Sequence, residues 1–200
     1  MAIYGQGYKF FVKSCEICQQ SKSGKSVKSN IGLTIEEPTR PFESLQVDIF
    51  HYGAKYVLTS VCTFSGFCKA RVMTDQRAET LRYNLAILLF EFNCPAVVQM
   101  DNGSNFRSEL IKEMLDTFGI HSRFITPYNK QSQGKVENIN KLFQTELRVL
   151  QPQIVSLLQF DYYISLISYI INTRTSANGD PCPLEIVFLM HPNYPIRLPK

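Results

Sequence analysis

Three strand-like runs crowd the stretch from Ser44 to Met73, and that crowding constrains the fold more than any other feature of the chain. Ser44 to Phe50, Lys55 to Phe64 and Phe67 to Met73 are rich in β-branched, aromatic and aliphatic residues. Only His51-Tyr52-Gly53 and Ser65-Gly66 separate them, and these are turn residues, so the runs form an antiparallel meander. The period then changes. Ala78 to Phe92 places Leu81, Leu85, Leu88 and Leu89 on one helical stripe, with Glu79 and Arg82 on other faces. Ala96 to Met100 reads as a short strand. Glu109 to Phe118 reads as a helix with Leu110, Ile111, Met114 and Leu115 on one face, capped by Ser108 and stopped by Gly119. His121 to Thr126 is a fifth strand. A meander followed by alternating helix and strand predicts an α/β domain, a five-stranded mixed sheet flanked by helices.

The rest of the chain frames that domain. Residues 1–20 end in Cys15-Glu16-Ile17-Cys18, residues 21–40 are Ser/Lys-rich and proline-bounded like a linker, and the main domain spans 41–190 with a tail at 191–200. Pro127 to Gly134 has loop composition and leads into a helix over Lys135 to Leu150. That helix has Val136, Ile139, Leu142, Phe143, Leu147 and Leu150 on its apolar side and Glu137, Lys141, Gln144, Thr145 and Arg148 on its polar side. A last long helix is expected from Ile154 to Asn172, beyond Pro152, and the chain after Thr173 turns through Asn178-Gly179-Asp180-Pro181 and is punctuated by proline. With 44% hydrophobic residues the chain supports one substantial core, and a net charge of +4 permits an acidic partner without demanding one. Gln159 and Asp161 interrupt the longest apolar run, so no membrane span is expected. Of six cysteines, Cys62, Cys68, Cys94 and Cys182 lie in or beside apolar runs, where buried free thiols are expected, consistent with a reducing intracellular compartment. Cys15 and Cys18 have the spacing of half a zinc site but lack a second pair of ligands: the first histidine after them is His51.

Three acids stand where regular elements meet loops: Asp48 in Gln46-Val47-Asp48, Asp101 in Met100-Asp101-Asn102-Gly103, and Glu137 at the mouth of the helix after the loop. Each placement also has an ordinary structural explanation: a strand end, a turn former, a first-turn acid favoured by the helix dipole. Together they are the pattern that metal-assisted chemistry at phosphorus requires. Two strand-end aspartates and a nearby helical glutamate can hold two divalent cations about 3.5–4 Å apart, and hard oxygen ligands select Mg²⁺ or Mn²⁺ over Zn²⁺.

Gln46-Val47-Asp48, Met100-Asp101-Asn102-Gly103-Ser104-Asn105-Phe106 and Pro127-Tyr128-Asn129-Lys130-Gln131-Ser132-Gln133-Gly134-Lys135-Val136-Glu137-Asn138 resemble the catalytic core of retroviral and long-terminal-repeat retrotransposon integrases. Thirty-five residues separate Asp101 from Glu137, as in the D,D-35-E pattern of that family, and the resemblance runs from about Pro41 to Met190. Asn172-Thr173-Arg174-Thr175 and Pro183-Leu184-Glu185-Ile186 look like the end of the core in gypsy-type elements. Cys15-Glu16-Ile17-Cys18-Gln19 looks like the end of the family's HHCC zinc module with its histidine half absent, so Zn²⁺ is not expected here. The resemblance implies an RNase H-like fold and polynucleotidyl transfer, in which a DNA 3′ end is trimmed and its hydroxyl then attacks target DNA. It implies catalytic and metal-ligand roles for Asp48, bridging two metals, and for Asp101 and Glu137, holding one each. It implies DNA contacts at Tyr128, Gln133 and Lys141, and along the same helix at Gln144, where the family often has a basic residue, and Arg148. It further implies a homodimer or higher multimer acting on DNA in the nucleus.

Two other readings compete. A DNA- or protein-binding remnant of a mobile element without chemistry would keep the fold and lose the reaction. A stand-alone RNase H-like nuclease would keep the acids, but the Pro127 to Glu137 loop resembles integrases in detail.

Overall fold

A computed structural model describes residues 38–125, 134–154, 156–175 and 179–192. The half zinc motif Cys15 and Cys18 and the expected DNA contacts Tyr128 and Gln133 lie outside the described residues.

The meander forms as expected. Strands β1 (Ser44–Tyr52) and β2 (Lys55–Cys62) pair antiparallel from Leu45 opposite Cys62 to Tyr52 opposite Lys55, and β2 pairs antiparallel with β3 (Cys68–Met73). The turn between β1 and β2 contains Gly53 at φ +59°, a backbone conformation that costs glycine little and most residues more. Helix α1 (Ala78–Glu91) then carries the chain to β4 (Val97–Met100), which pairs parallel with β1, and helix α2 (Glu109–Thr117) carries it to β5 (His121–Phe124), parallel to β4. The sheet order is β3-β2-β1-β4-β5. Helix α3 (Gly134–Leu150), a short 3₁₀ turn at Gln151–Gln153, helix α4 (Leu157–Thr173) and the short helix α5 (Pro183–Phe188) follow.

The sheet buries both faces because each strand points alternate side chains to opposite sides. On one face Leu45, Val47, Leu58, Val98 and Met100 pack with Leu81, Leu85, Leu88 and Leu89 of α1 and Ile111, Met114 and Leu115 of α2. On the other, Phe50, Val57 and Val61 meet Val136, Phe143 and Leu147 of α3 and Phe160, Ile164 and Ile167 of α4. The α4 layer is also tied to the edge strand by polar contacts. The Asn172 side chain accepts from the Cys68 N–H at 2.8 Å and donates to the Cys68 carbonyl at 2.7 Å, standing in for a missing strand neighbour.

Four expectations are corrected. Asp48 does not end its strand: β1 runs four residues further, because pairing with β2 holds it extended to the hairpin turn. Ser108 stands at the N-cap of α2 but its hydroxyl makes no capping bond. Helix α4 starts at Leu157, not Ile154. Pro152 supports a 3₁₀ turn that ends the previous element, and the Ser156 hydroxyl accepts from the Gln159 N–H to begin the next. Cys94 is exposed, unlike the buried Cys62, Cys68 and Cys182, because it lies in the bend after α1 with φ +46°. One helix was not anticipated: α5 starts at Pro183, where proline tolerates a first helical position, and the Glu185 carboxylate accepts from the Cys182 N–H at 2.8 Å. Among the described residues no helix is long and apolar enough to cross a membrane.

Candidate active site

The sheet register brings Asp48 and Asp101 to one level. Gln46 lies beside Gln99 and Val47 beside Met100, where the parallel pairing of β1 and β4 stops. Asp101 is the next residue of the β4 chain and Asp48 the next of β1, so both acids sit at the carboxyl end of β4 where the two strands part. In open α/β sheets this is where a crevice forms and ligands bind. Asp48 shares its face with Gln46 and Phe50, the face that α3 covers, and Glu137 stands in the first turn of α3.

Asp48 is the most constrained of the three. Its Oδ1 accepts from the Ile49 N–H at 2.8 Å and its Oδ2 from the Asn140 amide at 2.8 Å. Asn140, one helical turn beyond Glu137, is itself held: its Oδ1 accepts from the hydroxyl of Thr59 at 2.7 Å, and Thr59 lies directly opposite Asp48 on β2. Burial pushes the Asp48 carboxyl up to about 6, with further upward pressure from the negative charges of Asp101 and Glu137. The Ile49 and Asn140 hydrogen bonds hold it down in part.

Asp101 turns onto its own loop, accepting from the Gly103 N–H at 2.9 Å. A Cβ at position 103 would lie 2.9 Å from the same carboxylate oxygen, so glycine there keeps the turn open. The neighbouring Asn102 ties this loop to the end of β5 by donating to the Ile125 carbonyl at 3.2 Å. The Arg107 guanidinium donates to Asn102 Oδ1 at 2.7 Å and lies over the Phe124 ring at 5.2 Å. Glu137 is exposed. Lys141 and Arg148 are exposed further along the same helix, with Gln144 half-buried between them, and Arg148 is close enough to Tyr52 to oppose the upward shift that burial imposes on its phenol.

The three acids are thus neighbours, and they do not form a closed cage: among the described residues no group of three His, Cys, Asp or Glu side chains converges to hold a metal ion. Their chemistry nonetheless fits a hard divalent cation. All the donors are carboxylate oxygens, and two of the carboxylates raise the proton affinity of the third, a repulsion that a cation would relieve.

Sequence reasoning identified the acids and missed what holds them. Asn140 and Thr59 carry no signal of their own in the sequence, and Gln46 enters only as part of a motif. What signal there is lies in position: polar residues on the even face of β1 and at the third residue after Glu137, where an apolar side chain would ordinarily pack.

A family model described as an integrase core domain matches residues 38–130, a segment that includes Asp48 and Asp101 and ends before Glu137. Among solved structures, the catalytic core domain of BIV integrase is similar, with 24% sequence identity, coverage of 74% of this chain and 95% of that chain, and a TM-score of 0.65. The chain has the RNase H-like fold of an integrase catalytic core, a five-stranded mixed sheet with flanking helices.

Proposed function

We propose that this chain is an integrase-type polynucleotidyl transferase core, trimming DNA 3′ ends and joining them to target DNA, with Asp48, Asp101 and Glu137 as its catalytic carboxylates. The observation that carries the reading is the placement of Asp48 and Asp101 side by side at the end of β4, with Glu137 near enough for its charge to raise the Asp48 carboxyl. The integrase core match over residues 38–130 supports the reaction class.

Asp48, Asp101 and Glu137 would hold divalent Mg²⁺ or Mn²⁺ through their carboxylate oxygens. When bound, a pair of such ions supplies an activated nucleophile and stabilises the leaving oxygen of an in-line displacement. Asn140 keeps Asp48 in one rotamer throughout, and Thr59 keeps Asn140 in the orientation that donates to it. Lys141, one turn beyond Glu137, would hold a DNA phosphate next to the acids, and Arg148 would hold another further along the helix. Tyr128 and Gln133, which precede α3 in the sequence, would contact the DNA end. The domain bounds at 41 and 190, a gypsy-type origin, assembly into a dimer or higher multimer, and nuclear action on chromosomal DNA belong to the same proposal.

The second reading is a DNA- or protein-binding remnant without chemistry. Strand transfer of a labelled donor end in Mg²⁺ or Mn²⁺, run beside Asp101→Asn, separates the two. Transfer by the wild type that Asp101→Asn abolishes is expected; DNA binding by both with transfer by neither would leave only the remnant.

A further inference from the structure

A chain of buried polar side chains runs through the sheet to the start of α3. Ser44, Gln46 and Gln99 are each less than a tenth exposed, on strands whose other buried residues are mostly apolar. Gln99 donates to the Ser44 hydroxyl at 3.1 Å, Gln46 donates to the Gln99 side-chain oxygen at 3.4 Å, and the Gln46 oxygen accepts from the backbone N–H of Val136 at 3.1 Å. Val136 is the third residue of α3, so its N–H is one of the four at a helix start that have no partner within the helix. Glu137 comes next. The preceding residue is anchored too: the Lys135 ammonium donates to the Thr63 carbonyl, and the Thr63 hydroxyl donates to the Ser44 carbonyl at 2.9 Å.

The first turn of α3 is therefore pinned to β1 by a side chain two residues before Asp48. We propose that Gln46 is a positioning residue: through the Val136 N–H it sets where α3 begins over the sheet, and so where the Glu137 carboxylate stands relative to Asp48. The inference rests on the metal-dependent reading of the three acids. Its physical basis is that Glu137 has no burial to fix it, while Asp48 is fixed by Ile49 and Asn140. The backbone that carries Glu137 is then the component the protein can hold in place, and Gln46 is the strand side chain that reaches that backbone. Groups that orient ligands in this way typically influence metal affinity or activity by about 10–100-fold.

The test uses the full chain with Gln46→Leu, which removes the acceptor, and Gln99→Leu, which leaves the acceptor and removes the group orienting it. Mn²⁺ affinity is read without DNA by water proton relaxation, and strand transfer is read as kcat and KM for the donor end. The expected result for Gln46→Leu is a roughly tenfold or greater loss of Mn²⁺ affinity and of kcat with KM unchanged and a native circular dichroism spectrum. Gln99→Leu should shift both in the same direction by less. Wild-type Mn²⁺ affinity and kcat in both variants would overturn the proposal; if Gln46→Leu does not fold, wild-type values in Gln99→Leu overturn it. A wild type that binds Mn²⁺ and transfers nothing would remove the transferase reading and leave the Mn²⁺ comparison to decide this one, whereas a wild type that takes up no Mn²⁺ removes both.

Discussion

Asp48 stands between opposing demands: burial favours its neutral form, while hydrogen bonds from Ile49 and Asn140 favour the charged one, and burial prevails. Because its folded value is raised from the usual 3.8 to about 6, the folded protein binds that proton more tightly than the unfolded chain does. The associated stabilisation is complete below about pH 4 and is lost as pH rises through about 6. Replacing Asp48 with Asn removes the charged form. In chelator, the stability of Asp48→Asn relative to wild type should therefore rise by about 1–2 kcal/mol from pH 4 to pH 7.5, discounted for partial solvent screening, whatever fixed cost comes from an amide that offers one acceptor oxygen where the carboxylate offers two. Denaturant melts at the two pH values check this. Ser108 gives a second prediction at this scale. A serine before a helix reads in sequence as a cap, but its hydroxyl is buried and has no partner. Ser108→Ala should therefore leave stability within about 0.5 kcal/mol of wild type, where loss of a true cap costs about 1 kcal/mol. The identity of a capping residue is visible in a sequence, and the φ/ψ and rotamer that decide whether it caps are not.

At the scale of elements, α3 joins the core to the site. Phe143 is fully buried and packs against Phe50 with the rings tilted 36° and their centres 5.8 Å apart, while Lys141 and Arg148 are exposed on the same helix. Phe143→Ala should cost about 3–5 kcal/mol and lower the melting temperature without any DNA present. Lys141→Ala and Arg148→Ala should leave melting nearly unchanged and weaken DNA binding. Each should reduce the slope of log affinity against log salt by about one, measured by fluorescence anisotropy on several unrelated DNA sequences. This division was legible in the sequence, since the apolar and charged residues of 134–150 repeat at helical spacing. Which strand the apolar stripe would cover was not, because helix periodicity says which face is buried and nothing about its partner. The same limit explains Asp48, whose place in mid-strand depends on the hairpin partner β2 running on after β4 has stopped.

At the scale of the whole molecule, two cores on opposite faces of one sheet predict how its thiols behave. Cys62, Cys68 and Cys182 are buried, and burial pushes the Cys68 thiol up to about 12, whereas Cys94 is exposed. Maleimide labelling mapped by mass spectrometry should modify Cys94 in the native protein and reach Cys62, Cys68 and Cys182 only on unfolding. The sequence by itself determined the order of the five strands and of α1 to α4, because composition and the period of the apolar residues are local chemistry: β-rich runs between turn residues for the meander, helical spacing for α1, α2 and α3. It also determined which three acids to watch, since Asp48, Asp101 and Glu137 stand in motifs that resemble a known catalytic core. Only the tertiary structure decided that Val47 lies beside Met100, that Asn140 reaches across to Asp48, and that Gln46 meets the first turn of α3. Those contacts join residues as many as ninety-two positions apart in the chain, so their geometry arises from sheet register and helix docking, which no local pattern encodes.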